Sequence, residues 1–339
     1  MAGILFLAFT VLVRVTLRDR IPYLAALYYG APWVLVGVGC WVLALIPRRG
    51  RRGLLIAGGL FVLLWIFAVR GPGMRGDPAA GLVLRLWTAD SPQTGYPELL
   101  TRLLHGDPWM VAMTESTDFG LWLKEEAGED LLQGYTVRAR RNGLTLMLSP
   151  GLAFEGTRRE YFGFRSRLDI HDVRLPDGEV IAVAVFDLDH HPLTPRGPIM
   201  RTLRMHLDEH PVPVRLLAGD FNLTPDSVFF RELEGAWRSA FAEAGAGLEV
   251  SWPWPVPLLG LDQVWGDDRI QFLGARYGRA HGSDHRKLDV WLTFSLDRVA
   301  TSAKHPAQAK SAGAINPFRL QGMSMPISAK HRATYSEQM

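Results

Sequence analysis

The sequence predicts an α/β protein: two packed β-sheets flanked by helices, with an N-terminal helical membrane anchor. Three observations predict it. The first seventy residues hold three apolar stretches, Ile4 to Val13, Ile21 to Ile46 and Leu54 to Val69. From Leu82 to Phe294, short apolar runs of strand length alternate with helix-period segments, which suits two sheets covered by helices. Ala300 to Met339 is rich in Ala, Ser and Lys and has no periodicity, so a tail over 297–339 is expected to be disordered.

Residues 1–70 are read as the anchor, with three transmembrane helices. Ile21 to Ile46 carries no charge and is long enough to span a bilayer, and Leu54 to Val69 needs its flanks to complete a span. Arg14 interrupts the first stretch after ten apolar residues. A signal peptide is the rival reading there, but a basic leader and a small-residue cleavage site are both missing. Arg48, Arg49, Arg51 and Arg52 crowd the loop between the second and third helices, which keeps that loop cytoplasmic and sends the rest of the chain outside. Arg18, Arg20, Arg70 and Arg75 oppose that orientation. The single cysteine, Cys40, falls inside the second helix, so a disulfide framework is excluded.

A Gly/Pro-rich linker over 71–81 leads to a domain at 82–296. Residues 1–75 carry nine Arg and one Asp, and residues 300–339 a net +4; with +3 overall, the domain between them is near −9. An acidic domain lacks the footprint of a protein that grips DNA backbones nonspecifically.

Within the domain, strands are expected at Leu82 to Trp87, Met110 to Met113, Tyr135 to Ala139, Leu144 to Leu148 and Tyr161 to Leu168. Helices are expected at Pro97 to Leu104, Phe119 to Leu132 and Ile199 to His210. Ile170 to Leu175 pairs with Val180 to Asp187 as a hairpin across the turn Pro176-Asp177-Gly178. Phe229, Phe230, Leu233, Trp237 and Phe241 recur at helical spacing and read as core. Ser251 to Pro257 is a proline-laden loop, and strands at Leu261 to Val264, Ile270 to Tyr277 and Leu288 to Phe294 complete the pattern.

Two motifs carry chemistry. Val214-Arg215-Leu216-Leu217-Ala218 is an apolar run that stops at Gly219, read as a strand ending in a tight turn, with Asp220 and Asn222 just past it. A carboxylate and a carboxamide two residues apart offer a base or ligand beside a neutral donor, a pair able to hold water against a phosphate. Gly282-Ser283-Asp284-His285 precedes an alternating strand, placing a hard oxygen ligand next to an imidazole. Either motif alone could be an Asp-rich turn.

Together, Gly219-Asp220-Phe221-Asn222, then Asp262 inside Leu261-Asp262-Gln263-Val264, then Ser283-Asp284-His285 resemble the endonuclease/exonuclease/phosphatase superfamily, in that family's order and over roughly Leu82 to Phe294. The resemblance implies a four-layered α/β sandwich and a divalent-metal-dependent phosphoester hydrolase using Mg²⁺ or Mn²⁺. It implies that Glu115 and Asp284 hold the metal at the ends of adjacent strands, with Asp90 as a further ligand candidate. Asp220 would orient or deprotonate water, Asn222 would bind phosphate, and Asp262 would hold the His285 ring. Two positions depart from the pattern: Asp90 stands where the family has Asn, and Asp187 where it has His. His190 or His191 is the candidate replacement imidazole, against a plain polar-loop reading. The implied substrate is a lipid headgroup, a nucleotide or nucleic acid, acted on at the membrane, with no protein partner indicated. The alternative is a degenerate member that binds a ligand or partner without turnover.

Overall fold

The computed structural model describes residues 2–30, 35–39, parts of 53–63, 81–89, 95–162, 165–191 and 193–294. Its strands form two six-stranded sheets. The first runs β11-β12-β1-β2-β4-β3, built from Leu82–Thr88 (β1), Met110–Thr114 (β2), Thr136–Ala139 (β3), Thr145–Leu148 (β4), Ile270–Gly278 (β11) and Lys287–Phe294 (β12). The second runs β5-β6-β7-β8-β10-β9, from Ala153–Phe162 (β5), Ser166–Arg174 (β6), Val180–Asp187 (β7), Val214–Asp220 (β8), Arg238–Ser239 (β9) and Asp262–Gly266 (β10). Each sheet has a parallel pair inside it, β1 with β2 and β7 with β8, and antiparallel strands on either side.

Side-chain alternation along the strands makes the layers. Leu84, Leu86, Met110 and Leu146 meet Val183, Val185, Leu216 and Val264 in one buried cluster between the sheets. On the outer face of the first sheet, Trp87, Val111 and Met113 pack with Leu99, Leu103, Phe119 and Leu123 of two helices, Tyr96–Leu104 and Thr117–Glu125. On the outer face of the second, Ala184, Phe186 and Leu217 pack with Ile199, Met200, Leu203 and Leu207 of a helix at Arg196–Glu209. Two sheets between two helical layers make the expected four-layered sandwich.

Three expected elements differ. The helix over 119–132 is two pieces, Thr117–Glu125 and Glu129–Leu132, with Gly128 heading the second. Residues 161–168 are a hairpin corner: β5 runs through Phe162 and β6 starts at Ser166. β5 was concealed because Glu155, Arg158, Arg159 and Glu160 make it a charged edge strand, a usual protection against edge pairing. The aromatics after β8 do not share one helix. A 3₁₀ turn at Val228–Glu232 ends before Gly235, whose φ is +89°, and the chain re-enters as β9 and a helix at Ala240–Ala244. Phe230, Leu233 and Trp237 are nevertheless buried.

At the N-terminus, a helix at Ala2–Leu12 passes through a π-helical turn, Val13–Leu17, and a second helix spans Pro22–Gly30. Among the described residues no helix is long and apolar enough to cross a membrane. The first apolar stretch ends at Arg14, which turns to the domain and forms an ion pair with Asp226 at 3.5 Å. Much of the second and third expected spans, the loop at 48–52, residues 71–80 and the tail from 295 lie outside the described residues.

One buried group makes acid stability testable. His171 is 1% exposed, and burial, with Arg140, Arg138 and Arg159 nearby, pulls its imidazole down from 6.5 to about 3. Unfolded chains take up that proton below pH 6.5 and the folded protein only near 3, so this part of the stability is full above 6.5 and is lost as pH falls towards 3. Denaturant titrations at pH 7 and 4.5 should show that His171→Asn removes about 2 kcal/mol of the acid-induced loss.

Candidate active site

The site lies where strand ends from the two sheets meet. Gly219 lies within β8, not in a turn: a Cβ there would come 1.8 Å from Phe186 O, so only glycine allows β7 and β8 to approach so closely. The strand thus runs on to Asp220, which faces Asp187 of β7 on one side and Asp262 of β10 on the other. Asp262 Oδ2 accepts from His285 Nδ1 at 2.7 Å, joining the second sheet to the loop that leads into β12 of the first. Asp262 Oδ1 accepts a short hydrogen bond from Thr88 Oγ1 at the end of β1, and Thr88 also pairs with Thr114 Oγ1 at 2.8 Å. Ser283 Oγ accepts from His285 N at 2.9 Å and donates to Thr88 O at 2.5 Å, which fixes the Ser-Asp-His turn against β1.

These groups border a cavity of about 330 Å³ lined by Glu115, Asp220, Asn222, Asp284, His285 and His190, with Arg196, Tyr29, Trp252, Leu259 and Leu261 completing it. Asn222 and Glu115 both have left-handed backbones, φ +47° and +53°. Asn tolerates that region, whereas for Glu it stores about 1 kcal/mol or more of strain, a condition that concentrates at functional sites. Asn222 N donates to Asp220 Oδ1 at 2.9 Å, and its side-chain amide donates to Leu188 O at 2.8 Å, leaving Oδ1 and one N–H for a ligand.

The electrostatics are uneven. Burial, then Asp262 and Asp187, push Asp220 well above the usual carboxylate range. Burial draws His285 down, but Asp262, Asp220 and Asp284 outweigh it and hold the imidazole up at about 10, which favours the cation at neutral pH, with Nε2 3.8 Å from Asp284 Oδ1. Arg196, 4% exposed, brings a second cation to the wall; its guanidinium donates to the carbonyls of Asp189 and His191.

The chain order of the expected ligands hides one correction. Glu115 follows β2 and Asp284 precedes β12, and β1 lies between those strands, so the two carboxylates do not end adjacent strands. They still face one cavity. Asp284 Oδ2 accepts from Trp252 Nε1 at 2.7 Å, and its Oδ1 lies 3.8 Å from His285 Nε2. Among the described residues no three His, Cys, Asp or Glu side chains gather into a ready cage. Two hard oxygen donors on a wet cavity fit Mg²⁺ or Mn²⁺ that keeps most of its waters.

An endonuclease/exonuclease/phosphatase family protein from Bacteroides thetaiotaomicron matches with a TM-score of 0.52 and 12% identity, over 64% of this chain and 99% of its own. One from Bacteroides vulgatus matches at 0.50 and 12%, over 64% and 100%. A functionally unknown protein from Enterococcus faecalis matches at 0.51 and 13%, over 63% and 100%. This is the endonuclease/exonuclease/phosphatase fold. No family model matches the chain, and no curated protein does.

Within the endonuclease/exonuclease/phosphatase fold, the two departing positions have different fates. Asp90 lies outside the described residues. Asp187 is 3% exposed, does not line the cavity, and receives a short charged hydrogen bond from Arg167. His190 reaches the cavity, whereas His191 is used locally, its Nδ1 accepting from Leu193 N at 3.3 Å. Asp189 staples that loop, accepting from Thr194 Oγ1 at 2.6 Å and from His191 N at 3.2 Å. Arg196, Tyr29, Trp252 and Thr88 were not anticipated. The Arg167–Asp187 pairing was readable: counting back from the turn at Asp177-Gly178 sets Arg167 opposite Asp187 in the hairpin.

Proposed function

We propose that this chain is a membrane-anchored, divalent-cation-dependent phosphoester hydrolase. The observation that carries the reading is the Thr88–Asp262–His285 chain of hydrogen bonds set beside Asp220 and Asn222 on a cavity that also holds Glu115 and Asp284. Asp220, its basicity raised by burial, takes a proton from a water whose oxygen forms the new P–O bond as the ester P–O bond breaks. His285 Nε2–H and the free N–H of Asn222 donate to the phosphoryl oxygens, with Arg196 adding positive charge at the wall. Asp262 keeps the imidazole oriented. Glu115 and Asp284 would hold the cation, which when bound polarises a phosphoryl oxygen and offsets developing charge.

The anchor is the other part of the proposal, with the loop at 48–52 cytoplasmic and the domain outside. Residues 14–29 contact the domain, so in this reading they lie on its side of the bilayer and the second span begins only beyond Gly30. A reporter fused after Ala80 that is active only in the cytoplasm would reverse this topology. The rival reading, a binding module without turnover, draws on Asp187 standing where the family has a histidine. Turnover of a phosphoester panel by the full chain in Mg²⁺ or Mn²⁺ separates the two, and calorimetry should show cation affinity falling about tenfold or more in Glu115→Ala and in Asp284→Ala.

A further inference from the structure

The N-terminal segment is tied to the loop that carries Asn222. Asp19, 2% exposed, stands ahead of the helix Pro22–Gly30 and accepts from Ser227 Oγ, from Val228 N at 3.1 Å and from Tyr29 OH at 2.7 Å. Hydrogen bonds to a carboxylate are the stronger class, and burying a carboxylate is costly without them. Tyr28 OH pairs with Thr224 Oγ1 at 2.9 Å, Arg18 donates to Asp226 O at 3.1 Å, and Arg14 forms its ion pair with Asp226. Thr224, Asp226, Ser227 and Val228, the residues just past Asn222, are all gripped from this one segment.

Asn222 needs that grip. Its φ is +47°, a conformation that persists where neighbours over-determine it. On one side stand Asp220 Oδ1 and Leu188 O, which its own amides reach, and Gln263 Nε2, which donates to Leu223 O at 3.0 Å. On the other stands the turn from Thr224 to Ser227, closed by Ser227 N donating to Thr224 O at 2.8 Å. That turn is the part fastened to Asp19 and Tyr28. A shift of the turn carries Asn222 with it, and a catalytic group displaced by about 1 Å can cost about 10²-fold in rate.

We infer that Asp19 is a positioning residue of this site: from the N-terminal segment its carboxylate fixes the turn at 224–228 and, through it, the Asn222 amide that meets the phosphoryl oxygens. The inference rests on the phosphoesterase reading. The stretch ahead of the domain is then a working part of the site as well as a tether. The test follows bis(p-nitrophenyl) phosphate hydrolysis by the full chain in detergent micelles with Mg²⁺ or Mn²⁺. Asp19→Ala should lower kcat about 10²-fold and leave KM within about threefold. Asn222→Ala should cost a similar factor alone, but less than about threefold more when added to Asp19→Ala, whereas losses with separate causes multiply. Tyr28→Phe, which removes only the bond to Thr224 and keeps the buried ring, should lower kcat about threefold to tenfold with the same shortfall, and it carries the test if Asp19→Ala does not fold. Amide hydrogen exchange, which needs no turnover, should quicken across 222–228 in either variant and stay unchanged in β7 and β10. Losses that multiply fully, a kcat within about threefold of wild type in both variants, or unchanged exchange at 222–228 would each overturn the inference. In a wild type that hydrolyses nothing the hydrolase reading falls and the exchange alone decides: quickening upholds Asp19 as the residue that sets Asn222, and no change overturns it.

Discussion

Asp262→Asn is expected to lower kcat on any phosphoester substrate by about 10³- to 10⁴-fold while leaving the fold in place. Asp262 is 1% exposed and divides its oxygens between two partners, Thr88 and His285 Nδ1. An amide can still accept from Thr88 through its oxygen. It then turns its NH₂ to the imidazole, which must give up the Nδ1 proton to accept that bond, and the ring loses the charge that Asp262 stabilises. His285 falls from about 10 towards its ordinary range, since Asp262 is the chief partner raising it. The loss should sit in kcat and not in KM, because the ring's charge matters most when phosphoryl charge develops. A kcat unchanged within about threefold would mean that His285 takes no part in the chemical step.

Asp187→His, the substitution that restores the family residue, is expected to lower stability by about 3 kcal/mol, a fall of about 6–12 °C in melting temperature, and to gain no activity. Burial pushes Asp187 up to about 7; Arg167 pulls back against that, and Glu115 adds to the rise. The carboxyl is thus held near its limit by one guanidinium, itself a quarter exposed, which sets the cost at the low end for breaking a buried pair. An imidazole there would leave Arg167 facing a like charge or a poor acceptor. Calorimetric melting of Asp187→His, beside Asp187→His with Arg167→Leu, reads this: the second change should return part of the lost stability. A melting temperature unmoved by Asp187→His would show the ion pair to be of no consequence. Asp187 is withdrawn behind the wall, and His285, Arg167 and Arg196 offset much of the remaining charge.

What the sequence disclosed follows from how local each signal is. β8, β10 and β12 read correctly because their apolar runs are buried on both faces or alternate cleanly, and they carry Asp220, Asp262 and His285 at their ends. β5 was lost because an edge strand is under no demand to be apolar. The helical reading of Phe229 to Phe241 failed because burial, not helix, sets that spacing, and Gly235 breaks the chain between. Tyr29 could not be read at all: its place in the site rests on Asp19 meeting Ser227 and Val228, a contact between residues some two hundred positions apart. Arg196 had a faint signal, since Pro198 belongs in the first turn of a helix, which places that helix's start, and its first side chain, three residues earlier than Ile199.

The measurement that bears most directly on the central claim is hydrolysis of bis(p-nitrophenyl) phosphate by the full chain in Mg²⁺ or Mn²⁺, followed beside Asp220→Asn. Asp220 sits between Asp187 and Asp262 at the end of the second sheet, and the proposed chemistry assigns it the role of base. Turnover should depend on the cation, stop on chelation and fall by about 10³-fold or more in Asp220→Asn. A folded wild-type chain that binds the ester and the cation but releases no product, or turnover that Asp220→Asn leaves intact, would contradict the central claim.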